Sequence, residues 1–175
     1  LPHMTRIPSQ IGTIALAALV VLAAVVGSIT FAGSVAAVSA VQEEQPFTPS
    51  PVDEETENEH AFNYSITGVN TSGNTTVTLS APDFTRTGED VELVNATGAV
   101  LNSTPSQSGS TLTLVGNSST TTVYLRGNVT LSAPAVDADE TYDIDITATD
   151  EDGTSESATG QIEVLDVPDL AVSPV

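Results

Sequence analysis

The ten residues from Glu140 to Thr149, ETYDIDITAT, alternate between two kinds of side chain. One phase holds Tyr142, Ile144, Ile146 and Ala148, and the other holds only Asp and Thr. A period of two is typical of a β-strand with one buried face and one solvated face. The stretch therefore predicts a half-buried strand, which is the strongest pattern in the chain.

A second strand follows this one closely. The residues Asp150-Glu151-Asp152-Gly153 have the composition of a tight turn, and Ser157–Leu165 resumes the alternation with Ile162 and Val164 in the inward phase. Two alternating runs joined by an Asp/Gly turn predict an antiparallel β-hairpin.

Six more runs toward the N-terminus show the same period. They are Phe62–Val69, Asn74–Ser80, Asp90–Asn95, Ser110–Val115, Thr121–Leu125 and Asn128–Ser132. Seven or eight short strands of this kind favour a two-sheet antiparallel sandwich of the immunoglobulin-like type. We expect no helix in this region, 61–175.

The N-terminal part has a different pattern. From Ile7 to Gln42 the chain runs 36 residues without a charged side chain, and Thr13–Val26 (TIALAALVVLAAVV) is apolar in every helical phase. A bilayer core needs about 20 helical residues and a signal peptide about 7–15 apolar ones. The segment predicts a buried or membrane-embedded helix over about 10–41. The expected contact residues among its large apolar side chains are Ile14, Leu16, Leu19, Val20, Leu22, Val25, Val26, Ile29 and Phe31.

These patterns give a layout of three parts. Residues 1–42 are the hydrophobic helix, 43–60 an acidic segment with Pro46, Pro49 and Pro51, and 61–175 the β-sandwich head. Proline and repeated Glu in the middle part predict an extended spacer. The expected fold class is α+β in layout, with one long N-terminal helix and an all-β head.

Charge excludes one class of partner. The 175 residues carry 23 Asp and Glu against three Arg and no Lys, so the formal net charge is −20. Nucleic acid is excluded because few groups could neutralise phosphates. The same composition resembles that of extreme halophiles, in which salt screens self-repulsion. Cysteine is absent, which removes disulfides and thiolate chemistry.

Asparagine usage indicates an extracellular compartment. Seven of the eight Asn residues begin Asn-x-Ser/Thr without proline: Asn63, Asn70, Asn74, Asn95, Asn102, Asn117 and Asn128. We expect these to be N-glycosylation acceptors outside the membrane. Because no such sequon follows Asn128, the hairpin around Asp150–Gly153 is the expected contact surface, with the turns at Asn70–Asn74 and Asn117 facing solvent.

No catalytic constellation is evident. The histidines, His3 and His60, form no Ser-His-acid pattern, so we expect neither an enzyme nor a cofactor. Acidic residues flanking the predicted hairpin, Asp137, Asp139, Asp150 and Asp152, could converge on calcium. A solvated acidic face is the interpretation that the composition favours.

Three interpretations of the N-terminal segment stay open. Val38-Ser39-Ala40 fits a signal-peptidase site, so the segment could be a signal peptide cleaved after Ala40. An uncleaved anchor would instead display the head at the membrane as a surface or adhesion glycoprotein. A subunit stored in the membrane before assembly is the third.

The third interpretation matches a known family. Gln10-Ile11-Gly12-Thr13 before the apolar run, followed by a sequon-rich β head, resembles archaeal type IV pilins and archaellin-like filament subunits. The resemblance implies a homo-oligomeric helical filament outside the cell, polymerised through the N-terminal helix and used for adhesion or motility toward an unknown surface or host target. Type IV pilins often carry glutamate at the fifth position, where this chain has Thr5.

Overall fold

A computed structural model describes residues 37–168 of the chain. This range contains eleven β-strands. The strands are β1 (Ala40–Thr48), β2 (Val52–Asp53), β3 (Glu57–Thr67), β4 (Asn74–Ser80), β5 (Thr85–Asn95), β6 (Val100–Asn102), β7 (Ser106–Ser108), β8 (Thr111–Asn117), β9 (Thr122–Ser132), β10 (Glu140–Asp150) and β11 (Ser155–Leu165). Within this range no helix is long and apolar enough to cross a membrane.

The strands form two sheets. Sheet A has the order β1-β3-β9-β5-β6, and sheet B has the order β2-β11-β10-β4-β8-β7. Neighbouring strands are antiparallel except β2, which pairs with the end of β11 in parallel. If β6, β7, β8 and the short β2 are set aside, the order is that of a constant-type immunoglobulin domain, with A-B-E-D in one sheet and G-F-C in the other. The chain therefore adds β6–β8 between the fourth and fifth strands of that arrangement.

The inward phases of the two sheets form the core. In the predicted hairpin, Ile144, Ile146, Ile162 and Val164 are fully buried, as the alternation predicts. The turn also has the expected chemistry, because Gly153 has a positive φ of 87° and its N–H donates to the carbonyl of Asp150 at 2.9 Å. Each apolar side chain of this size contributes about 1.5–3 kcal/mol when it is fully buried.

The α+β layout predicted above is wrong for the described residues, which contain strands and no helix. The predicted helix was to reach residue 41, yet Ala40 and Val41 lie in β1 and pair with Thr67 and Ile66 of β3. The predicted helix was extended to residue 41 because the stretch contains no charge. Its last apolar residues, Val38 and Val41, are instead buried in the core of the sandwich. The rest of the predicted helix, with its contact residues from Ile14 to Phe31, lies outside the described residues.

The spacer predicted over 43–60 is also wrong. This stretch supplies most of β1, all of β2 and the start of β3. Phe47 is 1% exposed, Val52 is buried, and His60 is 1% exposed with an unpaired Nδ1. Burial lowers the pKa of His60. A few apolar anchors outweigh the acidic composition because the carboxylates lie in the outward phase or at the strand ends.

β1 and β11 close one side of the sandwich through aromatic packing. Phe47 and Phe62 lie with ring centroids 4.9 Å apart, and Tyr64 packs 6.1 Å from Phe47. A Cβ at Gly160 of β11 would overlap the Tyr64 hydroxyl and the Phe47 ring. Gly160 therefore leaves the space that these two rings fill.

β9 is one continuous strand, although the sequence predicted two. The break was placed at Arg126-Gly127, where Gly127 occupies an inward position with φ of 134°. A Cβ there would overlap the carbonyl oxygen of Asp90, a backbone atom of the neighbouring strand. Glycine thus lets β5 approach β9 closely, and it does not interrupt the strand.

We predict that Gly127→Ala destabilises the protein by about 3 kcal/mol, because it adds backbone strain to a clash with backbone. Gly98→Ala is the matched control: Gly98 also has positive φ, 84°, but nothing lies within 4 Å of its Cβ position. Its cost should be about 1 kcal/mol. Denaturant unfolding of the full chain followed by circular dichroism measures both. Equal losses in the two variants would show that β5 does not need the close approach.

Candidate functional site

Five segments meet at one end of the sandwich, which we call the sequon end. They are residues 37–39 before β1 and the loops 68–73, 96–99, 118–121 and 151–154. Backbone bonds join them, including Ser39 N–H to Thr67 carbonyl at 2.8 Å and Val69 N–H to Thr121 carbonyl at 3.1 Å. The N-terminal segment therefore leads into the sandwich at this end.

A buried carboxylate holds this end together. Asp150 is 3% exposed and accepts hydrogen bonds from Val38 N–H at 2.8 Å, Asn70 N–H at 3.1 Å and Thr75 Oγ1 at 2.7 Å. The three donors belong to three separate stretches of chain. A carboxylate buried with full partners is stabilising only while all of them stay in place. Asp150 therefore links the start of the sandwich to the β3–β4 loop and to β4.

Four of the seven sequons lie at this end. Asn74 and Asn117 are exposed, and Asn117 Nδ2 donates to the Gly73 carbonyl at 2.7 Å. Asn70 is half-buried, and its Oδ1 accepts from Ser72 N–H at 2.9 Å. Asn74 and Asn117 are therefore the sequon residues at this end that are exposed to solvent.

Asn95 differs from the other three. It is 7% exposed, and its Oδ1 accepts from Thr97 N–H, Thr97 Oγ1 and Ala99 N–H at 3.0, 2.7 and 2.9 Å. The side chain closes the turn between β5 and β6. A sequon that looks equivalent in the sequence is here a buried part of the fold.

The remaining sequons lie along sheet A. Asn63 and Asn128 are half-buried on its outer face, beside a shallow groove of about 430 Å³ that also contains the Arg126–Glu92 ion pair at 2.7 Å. Asn63 Oδ1 is buried without a partner. Asn102 in β6 donates from Nδ2 to the Val115 carbonyl at 3.0 Å.

The expected separation between the hairpin and the sequon turns is wrong. The Asp150–Gly153 turn lies at the same end as Asn70, Asn74 and Asn117, and Glu151 accepts from Asn74 N–H at 3.3 Å. The reason is strand pairing: Asp150 is opposite Thr75, so β10 ends where β4 begins. Sequence spacing between Asn128 and the turn gave no indication of this contact.

The four acidic residues considered for calcium do not meet. Asp137 and Asp139 precede β10, whereas Asp150 is its last residue and Asp152 follows it, a separation of about 35 Å along the 11-residue strand. Asp150 is already occupied by three hydrogen bonds. Over residues 37–168 there is no group of three His, Cys, Asp or Glu side chains arranged to hold a metal.

Carboxylates at the opposite end, the acidic end, organise loops instead. Glu54 accepts from Val136 N–H at 2.8 Å and Val167 N–H at 3.1 Å, and these bonds lower its pKa. Desolvation and the neighbouring Glu54 raise the pKa of Asp166, whose N–H donates to Asp139 at 3.1 Å. The carboxylates thus cap backbone groups where the chain leaves β11.

Comparisons with known proteins show a similarity of fold to solved structures. No protein-family model matches the sequence, and no curated protein matches it. Among solved structures, a variant of BcpA, the major pilin subunit of Bacillus cereus, superposes with a TM-score of 0.51 at 9% identity over 73% of this chain and 40% of that one. BcpA itself gives 0.48 at 10% identity, with the same coverage of both chains. MyfA, the major subunit of Myf fimbriae from Yersinia enterocolitica, gives 0.36 at 12% identity over 72% and 98%.

The likeness to the Bacillus pilin is one of fold. The chain spans about two fifths of the length of that pilin. The described residues therefore share their all-β sandwich fold with the matched part of that pilin.

We predict that Asp150→Asn destabilises the protein by about 3 kcal/mol, because an amide can replace only one of the two acceptor oxygens. Asp152→Asn removes the same charge from the same turn. Asp152 is exposed and uses only Oδ1, which accepts from Thr154 N–H at 2.9 Å, so its loss should stay below about 0.5 kcal/mol. Thermal and denaturant unfolding measure the loss of stability in both variants. Similar stabilities for the two would contradict the linking role of Asp150.

Proposed function

We propose that this chain is a structural subunit of an extracellular filament of the archaeal type IV pilus-like kind, acting by assembly and not by catalysis. The observation that carries the proposal is the joining of a long uncharged segment, from Ile7 to the start of β1, to a sandwich with a pilin-like fold. A mature secreted binding domain would need the sandwich but not the long uncharged segment.

The position of Val38 favours this proposal over a signal peptide cleaved after Ala40. Val38 is 3% exposed, and its N–H donates to Asp150. Ala40 is already paired with Thr67 in β1. Cleavage at that point would remove residues that the sandwich uses. A membrane-anchored surface glycoprotein is the second candidate, and the experiment on assembly below separates the two.

Assembly follows from the chemistry of the uncharged segment. Packing it against other copies would remove apolar surface from water at about 25 cal/mol per Å². The membrane could hold the segment before assembly, since the lipid interior and the packed filament core are both apolar environments. Contacts that repeat head-to-tail without closing produce a helical polymer.

Composition supports an outer surface exposed to salt and sugar. A net charge of −20 without lysine fits a haloarchaeal subunit. The exposed sequons at the sequon end fit an N-glycosylated surface outside the cell. An adhesive or motile filament is the role that these properties share.

We predict that Ala24→Asp abolishes filaments on the surface of cells producing the chain, because an unpaired carboxylate in apolar surroundings costs several kcal/mol per subunit. Ala96→Asp places the same charge on an exposed loop and should leave the filament number unchanged. Negative-stain electron microscopy counts the filaments. Normal filaments from Ala24→Asp would overturn assembly through the uncharged segment. No filaments from the unaltered chain would overturn the filament itself and leave the anchored glycoprotein.

We also predict that glycopeptide mass spectrometry of the mature protein finds sugar on Asn74 and Asn117 and none on Asn95. The reason is accessibility: the first two are exposed, whereas Asn95 is 7% exposed and its side chain is held in the β5–β6 turn by bonds to Oδ1. Asn74→Gln serves as the control that removes one exposed acceptor. Full occupancy at Asn95, or unmodified Asn at all seven sites, would contradict the proposed outer surface.

A further inference from the structure

Part of the outer face of sheet B carries mostly Ser and Thr side chains, whereas the next rows toward the start of β10 hold Asp143 and Glu163. Strand register arranges this Ser- and Thr-rich part in three rows across five strands. The first row is Ser155, Thr149, Thr76 and Val115; the central row is Ser157, Thr147, Thr78, Thr113 and Ser106; the third row is Thr159, Asp145, Ser80, Thr111 and Ser108. We call the Ser, Thr and Val115 side chains of these rows the hydroxyl face. Asp145 is the single charged member of the three rows.

The corresponding face of sheet A is acidic. Its outward positions include Glu57, Glu59, Asp90 and Glu92, with Arg126 as a partner for Glu92 alone. Two copies meeting through that face would bring carboxylates together, with like-charge repulsion and desolvation on both sides. In a chain of net charge −20, the hydroxyl face is where a second copy can approach with the fewest carboxylates, since Asp145 is the one acid within its rows.

Hydroxyl groups are also complementary to themselves, since each can donate one hydrogen bond and accept two. Bonds within the face already fix several of them: Thr147 with Ser157 at 2.9 Å, and Thr149 with Ser155 at 3.0 Å. Each pair still has unused acceptors. Side chains that are short and already ordered lose little conformational entropy when a second surface covers them.

The size of the face fits a weak repeated contact. Five strands at about 4.8 Å and three rows about 6.8 Å apart give about 500 Å² per copy, so a face-to-face pair buries about 1,000 Å². That is the lower limit for a specific interface. Asn74 and Asn117 form the next row of the same face, beside Thr76 and Val115, so sugars there would border the first row and start about 13 Å along the strand from Thr78 in the central row.

We propose that the hydroxyl face is a self-association surface through which two copies of this chain pack face to face. The proposal rests on the proposed function for its role, because a surface filament supplies the high local concentration at which so weak a contact is extensively populated. Contacts between copies in neighbouring filaments would then bundle them laterally, in addition to the polymer contacts of the N-terminal segment.

Single cysteines test the surface directly, since the chain contains none of its own. Thr147→Cys, Thr78→Cys and Thr113→Cys span the central row, and Thr122→Cys places the probe on the outer face of sheet A. The full chain, as filaments or as detergent-extracted subunits at the same concentration, is treated with a short thiol-to-thiol cross-linker. We expect covalent dimers from at least one central-row variant and none above background from Thr122→Cys. No dimers from the central row, or equal dimers from Thr122→Cys, would overturn the proposal.

A charge in the row provides the second measurement. Thr78→Asp is combined with Thr147→Cys or Thr113→Cys, whichever of the two cross-links. The added charge should lower the cross-linking rate by about tenfold or more, whereas Thr78→Ser should leave the rate unchanged. Cooperative unfolding by circular dichroism checks that each variant is folded. An unchanged rate in a folded Thr78→Asp variant would overturn the face-to-face contact. Because extracted subunits are also tested, loss of filaments would reject the proposed function without affecting this result.

Discussion

The carboxylate of Asp150 is the contact on which the arrangement of the sequon end depends. It is the point where the first described residues, the β3–β4 loop and the last hairpin are joined, through donors on Val38, Asn70 and Thr75. Hydrogen bonds to a buried charge are stronger than neutral ones, and each missing donor would leave a desolvated charge behind. Strand β1 is consequently held at its start by β10 of the other sheet as well as by its neighbour β3.

In this protein hydroxyl groups are the usual side-chain partners of carboxylates, a role that lysine has in most proteins. Two ion pairs occur within residues 37–168, Arg86 with Glu89 and Arg126 with Glu92. Most other carboxylates that have side-chain partners are bonded to hydroxyls, as in Tyr64 with Glu43 at 2.9 Å and Thr159 with Asp145 at 3.0 Å. A chain without lysine can satisfy its acidic surface in this way. Ser65, Thr75 and Thr159 thus have a structural role that does not depend on sugar attachment.

Local pattern predicted much of the sandwich and little of its ends. The runs at β4, β10 and β11 were recognisable because alternation over at least seven residues reflects one buried face. β1 was missed because its pairing has two irregularities, between Glu43 and Gln45 and again before Thr48, which break the period. β6 and β7 have three residues each, too few to show a period. Asp150 looked like a solvated turn residue because burial at a loop depends on segments far away in sequence.

The path of the chain has a mechanical consequence. It enters the described sandwich beside Val38 at the sequon end and passes Val167 at the acidic end, with β1 and β11 running between them in the same direction. A pull between these two points acts along the strands, so the pairs that join β1 to β3 are loaded together in shear and are not peeled apart one after another. Rupture under such a load requires many hydrogen bonds to break at once. A sandwich threaded in this direction can carry tension along its length while each of its individual bonds stays weak.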